Sequence, residues 1–327
     1  MEKLPLVSII IISYNQKAYI RDCMEGLLAQ NYQNMEILYL DDCSPDHTYE
    51  EASLYESRLK KKYGNNQVRF IQNQENKGLI KNLNRLVEES KGSYVKFMSA
   101  DDFMLEGAID RLVACMEAHS EYDLLYTNGI YGDDHVHFPV EDIRLVNTAP
   151  SVKKLYDKPQ ASGKDLFEQL YKKDFIAAPT VMVRREVYER CGMYDERIGV
   201  EDWDFYLRIA EQGCIGYLDE TTVMYRFTDE SLSHSNHPLR RVNMQKSTLL
   251  IREKYKDKVQ RSQELIEESL NDAFQDAVHI GNQEYFVFLR EYVERNSVRI
   301  SGKNRARYLL YRLYAFKILE FFRGCLR

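Results

Sequence analysis

Residues Val7-Ser8-Ile9-Ile10-Ile11-Ile12 form an almost uninterrupted apolar, β-branched run. A strand with one wet face alternates apolar and polar residues, so this run fits a strand covered on both faces, as in a parallel sheet flanked by helices. The following residues keep to that plan. Ser13-Tyr14-Asn15 breaks the run, and Ile20, Cys23, Met24, Leu27 and Leu28 then recur at helical spacing. Further strands are expected at 36–40, 68–71, 94–98 and 123–126, with helices near 44–63, 78–90 and 106–119. Ser44 before Pro45 reads as the cap and first residue of the helix over 44–63. Strands alternating with helices predict an α/β fold with a mostly parallel sheet and helices on both faces.

The alternation stops after Thr127. Residues 128–161 hold Gly, Pro, Asp and His without a period and read as a long loop or excursion, a kind of segment often used as a binding loop or lid. Regular signals return as a helix near Lys164–Tyr171, a strand at Pro179–Val183, a short helix before Gly192 and a helix from Asp202 to Glu211. From Leu239 onward the pattern is helical. An α/β domain over 1–238 and a helical region over 239–327 are therefore expected, and no internal repeat is seen.

Charge limits the partners. The 327 residues carry 45 Lys+Arg against 51 Asp+Glu, a net −6, which speaks against nucleic-acid binding. The balance is uneven. Lys303–Arg327 holds seven basic residues and one acid, Glu320, a net +6 that leaves −12 on the rest. There Tyr308, Tyr311, Phe316, Phe321 and Phe322 interleave with Arg307, Arg312, Lys317 and Arg323. Such a basic amphipathic helix suits an anionic membrane surface, the alternative being that it packs on protein. No stretch of about 18 apolar residues exists to span a bilayer. Met1-Glu2-Lys3-Leu4-Pro5 enters a strand-like run without a leader pattern, and the six cysteines are scattered without a CxxC pair. Both features point to a reducing cytosol.

Ligands of open α/β sheets collect at the carboxyl ends of the strands. Ser13-Tyr14-Asn15, Asp41-Asp42, Asn76-Lys77-Gly78 and Asp101-Asp102 all fall there. Asp41-Asp42 reads equally as acids favouring the next helix's N-terminus. Asp101-Asp102 is harder to explain as a cap, because its helix starts several residues later. Adjacent carboxylates repel unless a cation relieves them, and Mg²⁺ or Mn²⁺ completed by water and substrate phosphate is the simplest one. Neither GxGxxG nor GxxxxGK[ST] appears, so no glycine cradle handles phosphates. In Glu201-Asp202-Trp203, a carboxylate beside an aromatic wall suits a general base acting on a sugar hydroxyl.

Taken in order, these motifs resemble inverting glycosyltransferases of family 2 with the GT-A fold, of the kind found in bacterial polysaccharide assembly. The resemblance runs over about residues 5–235. It rests on Val7-Ser8-Ile9-Ile10, Ser13-Tyr14-Asn15, Asp41-Asp42-Cys43-Ser44, Asn76-Lys77-Gly78-Leu79 with Asn84, Ala100-Asp101-Asp102, Ala178-Pro179-Thr180, Gly192-Met193-Tyr194-Asp195 and Glu201-Asp202-Trp203. It implies a nucleotide-sugar donor, UDP-linked first and dTDP-linked next, bound by Ser13, Tyr14, Asn15, Asp42, Asn76, Gly78 and Asp101. It implies Mn²⁺ or Mg²⁺ on Asp102 and Asp101, with Asp202 as catalytic base. The implied acceptor is a saccharide or polyprenyl-linked saccharide, and the implied location is the cytoplasm, peripheral on the inner face of the plasma membrane through 303–327. Two departures stand out. Thr228 occupies a place where many relatives carry histidine, for which Asp229, His234 or His237 would be substitutes, and Cys43 occupies a place where glycine is common. The sole tryptophan lies in Glu201-Asp202-Trp203, so the QxxRW motif of processive synthases is absent and one sugar per encounter is expected. The rival readings are a nucleotidyltransferase, whose glycine-rich signature is missing, and a degenerate homologue that binds nucleotide sugar or scaffolds an assembly.

Overall fold

The computed structural model describes residues 4–133, 135–140, 152–156, 158, 160–163, 166–227, 238–280, 282–296, 298 and 302. The described strands are β1 (Val7–Ser13), β2 (Met35–Asp41), β3 (Val68–Gln72), β4 (Tyr94–Ser99), β5 (Phe103–Met104), β6 (Leu124–Gly132), β7 (Val152–Lys154), β8 (Met182–Arg184) and β9 (Ile215–Arg226). They join in one sheet in the order β3-β2-β1-β4-β8-β6-β9-β5, with β7 beside β6. Helices α1 (Ile20–Leu28), α2 (Thr48–Tyr63), α3 (Leu79–Glu89) and α4 (Ala108–Ala118) connect the early strands, and α5 (Phe167–Lys172), α6 (Glu186–Cys191) and α7 (Asp202–Gln212) lie between later ones. This is the α/β architecture of the GT-A fold.

Burial on both faces is real at β1, where all seven residues are buried. Val7, Ile9 and Ile11 share one core with Ile20, Cys23, Met24 and Leu27 of α1 and with Ile109, Leu112 and Met116 of α4. Side chains alternate across a strand, so Ser8, Ile10 and Ile12 face the other side. β1 is parallel to both β2 and β4, and β2 to β3. Beyond β4 the directions change. β8 is antiparallel to β4 and to β6, while β6 and β9 are parallel with register shifts at Thr127/Asn128 and Asn128/Ile130.

Several local expectations are corrected. β6 continues through Gly132 and β7 returns beside it, so 128–161 is not one loop; residues 141–151 lie outside the described ones. Pro179 belongs to a 3₁₀ turn, Ala178–Thr180, ahead of β8. Ser44 does not cap α2, which starts only at Thr48, with Asp46 Oδ1 accepting from the Thr48 N–H at 3.1 Å. β5 and β9 were not legible. Asp219, Glu220, Thr221 and Thr222 interrupt β9's apolar pattern where its register slips against β6.

The described chain divides into two compact units, one holding the sheet and its helices, the other holding 198–200 and the helices α8 (Pro238–Tyr255), α9 (Ser262–Ile280) and α10 (Gln283–Asn296). The second has its own core, with Leu249, Ile266, Leu270, Phe274, Phe286 and Leu289. Among the described residues no helix is long and apolar enough to cross a membrane.

A buried junction fixes the entry to β4. The carboxylate of Glu36 accepts from the Ser8 hydroxyl and the Lys91 N–H, and from the Gly92 N–H at 3.1 Å, while Ser8 Oγ also accepts from Gly92 N at 2.8 Å. A Cβ at position 92 would lie 2.5 Å from Ser8 Oγ and 2.7 Å from the Tyr94 carbonyl oxygen. Only glycine lets the chain pass there. Gly92→Ala should cost about 1–3 kcal/mol or more of stability, to be read as the shift in the urea unfolding curve.

Candidate functional site

The parallel half of the sheet brings several strand ends to one edge. Ser13 stands opposite Asp41 in the β1–β2 ladder. Ser13 is buried, with its hydroxyl 2.7 Å from the Tyr39 hydroxyl, whereas Tyr14 emerges 46% exposed. Three turns are stitched together there. The Asn15 N–H donates to Ser44 Oγ at 3.0 Å, Gln16 N to Thr48 Oγ1 at 3.0 Å, and Gln16 Nε2 to Ser99 Oγ at 2.9 Å. Ser44 thus serves the turn that holds Asn15.

Asp41 accepts from the Ser44 N–H at 3.0 Å, and burial raises its pKa. Asp42 is buried and accepts from Asn73 Nδ2, Lys77 N and Gly78 N, each at 2.8 Å. Burial pushes its carboxyl up, but these donors together outweigh it and hold its pKa below the ordinary value. Asp42 therefore serves a helix N-terminus, but that of α3 rather than of α2. Gly78, at φ +84°, turns the chain into α3, and its N–H also meets Asn76 Oδ1 at 3.1 Å. Cys43 sits at φ +64°, the left-handed region, which explains why glycine suits that place.

Asp101 and Asp102 follow β4 directly. Asp102 is 2% exposed, and its Oδ1 accepts from the Arg226 N–H at 2.8 Å. Burial, and then the neighbouring Asp101, raise its pKa well above normal; burial also raises that of Asp101. Two cations that sequence reasoning did not single out lie nearby. Arg226, fully buried at the end of β9, donates from Nε to the Asp101 carbonyl at 2.9 Å and from Nη2 to Asp22 Oδ2 at 3.0 Å. Lys96, fully buried in β4, donates to the Pro179 carbonyl at 2.6 Å. A charged residue inside an otherwise apolar strand was a readable signal for Lys96. Arg226 gave none, because β9 was not recognised.

Among the described residues, no three His, Cys, Asp or Glu side chains converge to hold a metal by themselves. The donor set still fits one. Asp101 and Asp102 are adjacent carboxylates whose burial penalises charge, and no described donor reaches Asp102 Oδ2. A hard cation completed by water and phosphate suits such a pair. Thr228, Asp229, His234 and His237 lie outside the described residues, as does the tail 303–327.

Asp202 opens α7, half-buried, with its Oδ1 accepting from the Trp203 N–H at 2.7 Å. It lines a recess with Val95, Phe97, Ala178, Val181, Tyr194 and Tyr206, alongside Glu201. The expected aromatic wall is not Trp203. That indole is buried and donates to the Leu170 carbonyl at 2.7 Å, bolting α7 to α5. Tyr194 and Tyr206 take its place. The side-chain amide of Asn84, on α3, holds the main chain of Tyr194, donating from Nδ2 to its carbonyl and accepting at Oδ1 from its N–H, each at 3.0 Å. Burial raises the pKa of Asp202. Burial, then Asp202, push Glu201 up to about 8, and the same causes raise Asp174, a third carboxylate that the sequence did not single out. The structure thus gathers Ser13, Tyr14, Asn15, Asp42, Asn76 and Gly78 on turns at one edge, with Asp101 and Asp102 beyond β4 and Asp202 on a recess of the same unit.

The sequence model of glycosyl transferase family 2 matches residues 8–192, more than half of the chain. The chain belongs to glycosyl transferase family 2. This glycosyltransferase is 27% identical over 231 residues to EpsE of Bacillus subtilis, named as a glycosyltransferase, covering 69% of this chain and 74% of EpsE. It is 25% identical over 236 residues to TuaG of the same organism, named as a teichuronic acid biosynthesis glycosyltransferase, covering 70% of this chain and 82% of TuaG. Similar solved structures include S. aureus TarS 1–349 with UDP-GlcNAc (TM-score 0.60, 15% identity, 97% of this chain and 87% of that one). The mannosyltransferase PcManGT of Pyrobaculum calidifontis with GDP-Man and Mn²⁺ is another (TM-score 0.55, 13% identity, 98% and 84%). At such identities the likeness is one of fold.

Lys96 generates a pH prediction for the transferase. Burial pushes its pKa down to about 7, opposed by the negative charge of Asp102. The unfolded chain keeps a lysine protonated to about 10.4. Between these values the unfolded state binds more protons, so stability should rise with pH from about 7 toward 10. Lys96→Met should lack that rise. Urea midpoints of both proteins at neutral and alkaline pH check it, and parallel slopes would assign the titration elsewhere.

Proposed function

We propose that this glycosyltransferase moves a single sugar from a nucleoside diphosphate sugar, UDP-linked first and dTDP-linked next, to a saccharide or lipid-linked saccharide, with inversion, in cell-surface polysaccharide synthesis. The observation carrying this reading is the pairing of two differently built carboxylate sites in one α/β unit: Asp101-Asp102 after β4, and Asp202 on its tyrosine-lined recess. The similar proteins support the substrate class: one is named for teichuronic acid biosynthesis, and the solved structures hold UDP-GlcNAc, or GDP-Man with Mn²⁺.

The residues divide the work as follows. Exposed Tyr14 offers its ring to the base. Ser13 and Asn15 shape the first turn, and Asp42 holds the 76–78 turn against the same edge with Asn76 and Gly78. Asp101, nearer the ribose, and Asp102 would hold Mn²⁺ or Mg²⁺, which when bound supplies Lewis-acid neutralisation of the departing diphosphate. Asp202 takes the proton from the acceptor hydroxyl. The freed oxygen attacks the anomeric carbon from the face opposite the diphosphate, which inverts it. A carboxylate raised by burial is better matched to this task near neutral pH than an ordinary one. Burial, and then the neighbouring Asp202, also raise the carboxyls of Glu201 and Asp174. The tail 303–327, read from sequence alone, would hold the enzyme at the cytoplasmic face of an anionic membrane.

A thermal-shift panel of UDP-, dTDP-, GDP- and CMP-sugars with and without Mn²⁺, on the wild type and Asp102→Ala, tests the donor half. Ligand at about 100 times its dissociation constant adds about 2.7 kcal/mol. One nucleotide class should give a Mn²⁺-dependent rise in Tm that the variant loses, and a flat panel would overturn the reading. Asp202→Asn should keep that rise while losing transfer. Turnover near that of the wild type would remove Asp202 from the role of base.

A further inference from the structure

We propose that Arg226 is a positioning residue for the Asp101-Asp102 pair, acting through the shape of its guanidinium rather than through its charge. The inference rests on the metal reading given for that pair. Arg226 is the largest fully buried side chain of the described residues. Burying a guanidinium is costly unless its donors are satisfied, and here they are used in a directed way. Nε holds the Asp101 carbonyl at 2.9 Å, Nη1 the Asp133 carbonyl at 3.1 Å, and Nη2 the Asp22 carboxylate at 3.0 Å. Its own N–H meets Asp102 Oδ1 at 2.8 Å, and the guanidinium carbon lies 4.7 Å from the Tyr19 ring centroid. One residue thus grips both members of the pair, one by its carbonyl and one by its carboxylate. It anchors them to Asp22, whose oxygens also hold His137 Nδ1 at 2.8 Å and Phe138 N at 3.2 Å.

That anchoring leaves Asp102 Oδ2 as the oxygen without a described donor. Lysine carries the same charge without the planar fork and cannot replace these three bonds. Partners that orient metal ligands typically contribute about 10–100-fold in metal affinity. The two roles of Arg226 differ in sign. If it acted only as a cation beside the carboxylates, removing it would strengthen Mn²⁺ binding. If it orients them, removing it weakens binding.

The test is a Mn²⁺ titration followed by EPR in the presence of UDP, on the wild type, Arg226→Lys, Arg226→Met and Asp22→Asn, with circular dichroism to confirm folding. Arg226→Lys and Arg226→Met should both lose about tenfold or more in Mn²⁺ affinity, and Asp22→Asn, which keeps the guanidinium but weakens its anchor, should lose less. If the position-226 variants do not fold, Asp22→Asn carries the test, and unchanged affinity there overturns the inference. Wild-type affinity in Arg226→Lys, or tighter binding in Arg226→Met, likewise overturns it. A wild type that binds no Mn²⁺ overturns the metal reading and this inference with it, an outcome distinct from unaltered variants of a protein that does bind.

Discussion

Parallel strands deliver their ends to the same edge, and in this protein acids stand at or just beyond two of them, β2 and β4. β1, β2 and β4 run side by side and in register, so the turns after them have no choice but to meet. Asp41, Asp42, Asp101 and Asp102 are thereby drawn into a poorly hydrated place where charge is penalised. Most of what surrounds them answers that penalty. Backbone N–H groups of Lys77 and Gly78 satisfy Asp42, the N–H of Ser44 satisfies Asp41, and two buried cations, Arg226 and Lys96, stand near Asp102.

The answers differ, and the difference separates the chemistry. Asp42 receives enough donors to lie below the usual carboxylate range, so it is a fixed anion that organises the 73–78 turn. Asp102 receives one and is pushed well above that range, the condition under which a bound cation brings the largest relief. Asp202 belongs to a third case. It has one backbone donor, tyrosines lining its recess and two further carboxylates near it, and burial raises its carboxyl.

Backbone conformation supports the same division. Asn15 at φ +55°, Cys43 at φ +64° and Gly78 at φ +84° all adopt left-handed geometry on the turns that form the candidate donor side. Such turns are stable only where surrounding contacts over-determine them. The bonds from Asn15 to Ser44, from Gln16 to Thr48 and from Gly78 to Asp42 do so here.

How much of this was present in the sequence follows from the range of the interactions involved. The apolar run 7–12 and the helical spacing of Ile20 to Leu28 are local, and they determined β1, α1 and the parallel half of the sheet without tertiary information. The acids at the strand ends were legible for the same reason, since a strand's end fixes where its last residue goes. β9 was not, because its pattern is broken where it slips against β6, a distant partner. With β9 unread, Arg226 could not be placed beside Asp102, 124 residues away. Trp203 shows the converse. Its neighbour in sequence suggested a cleft wall, but its indole is buried against Leu170, and the wall is made of Tyr194 and Tyr206. Periodicity encodes which face of an element is buried. Which charge meets which, and whether an aromatic ring lines a cleft or seals a core, depends on partners far along the chain, and only the packed sheet decided it.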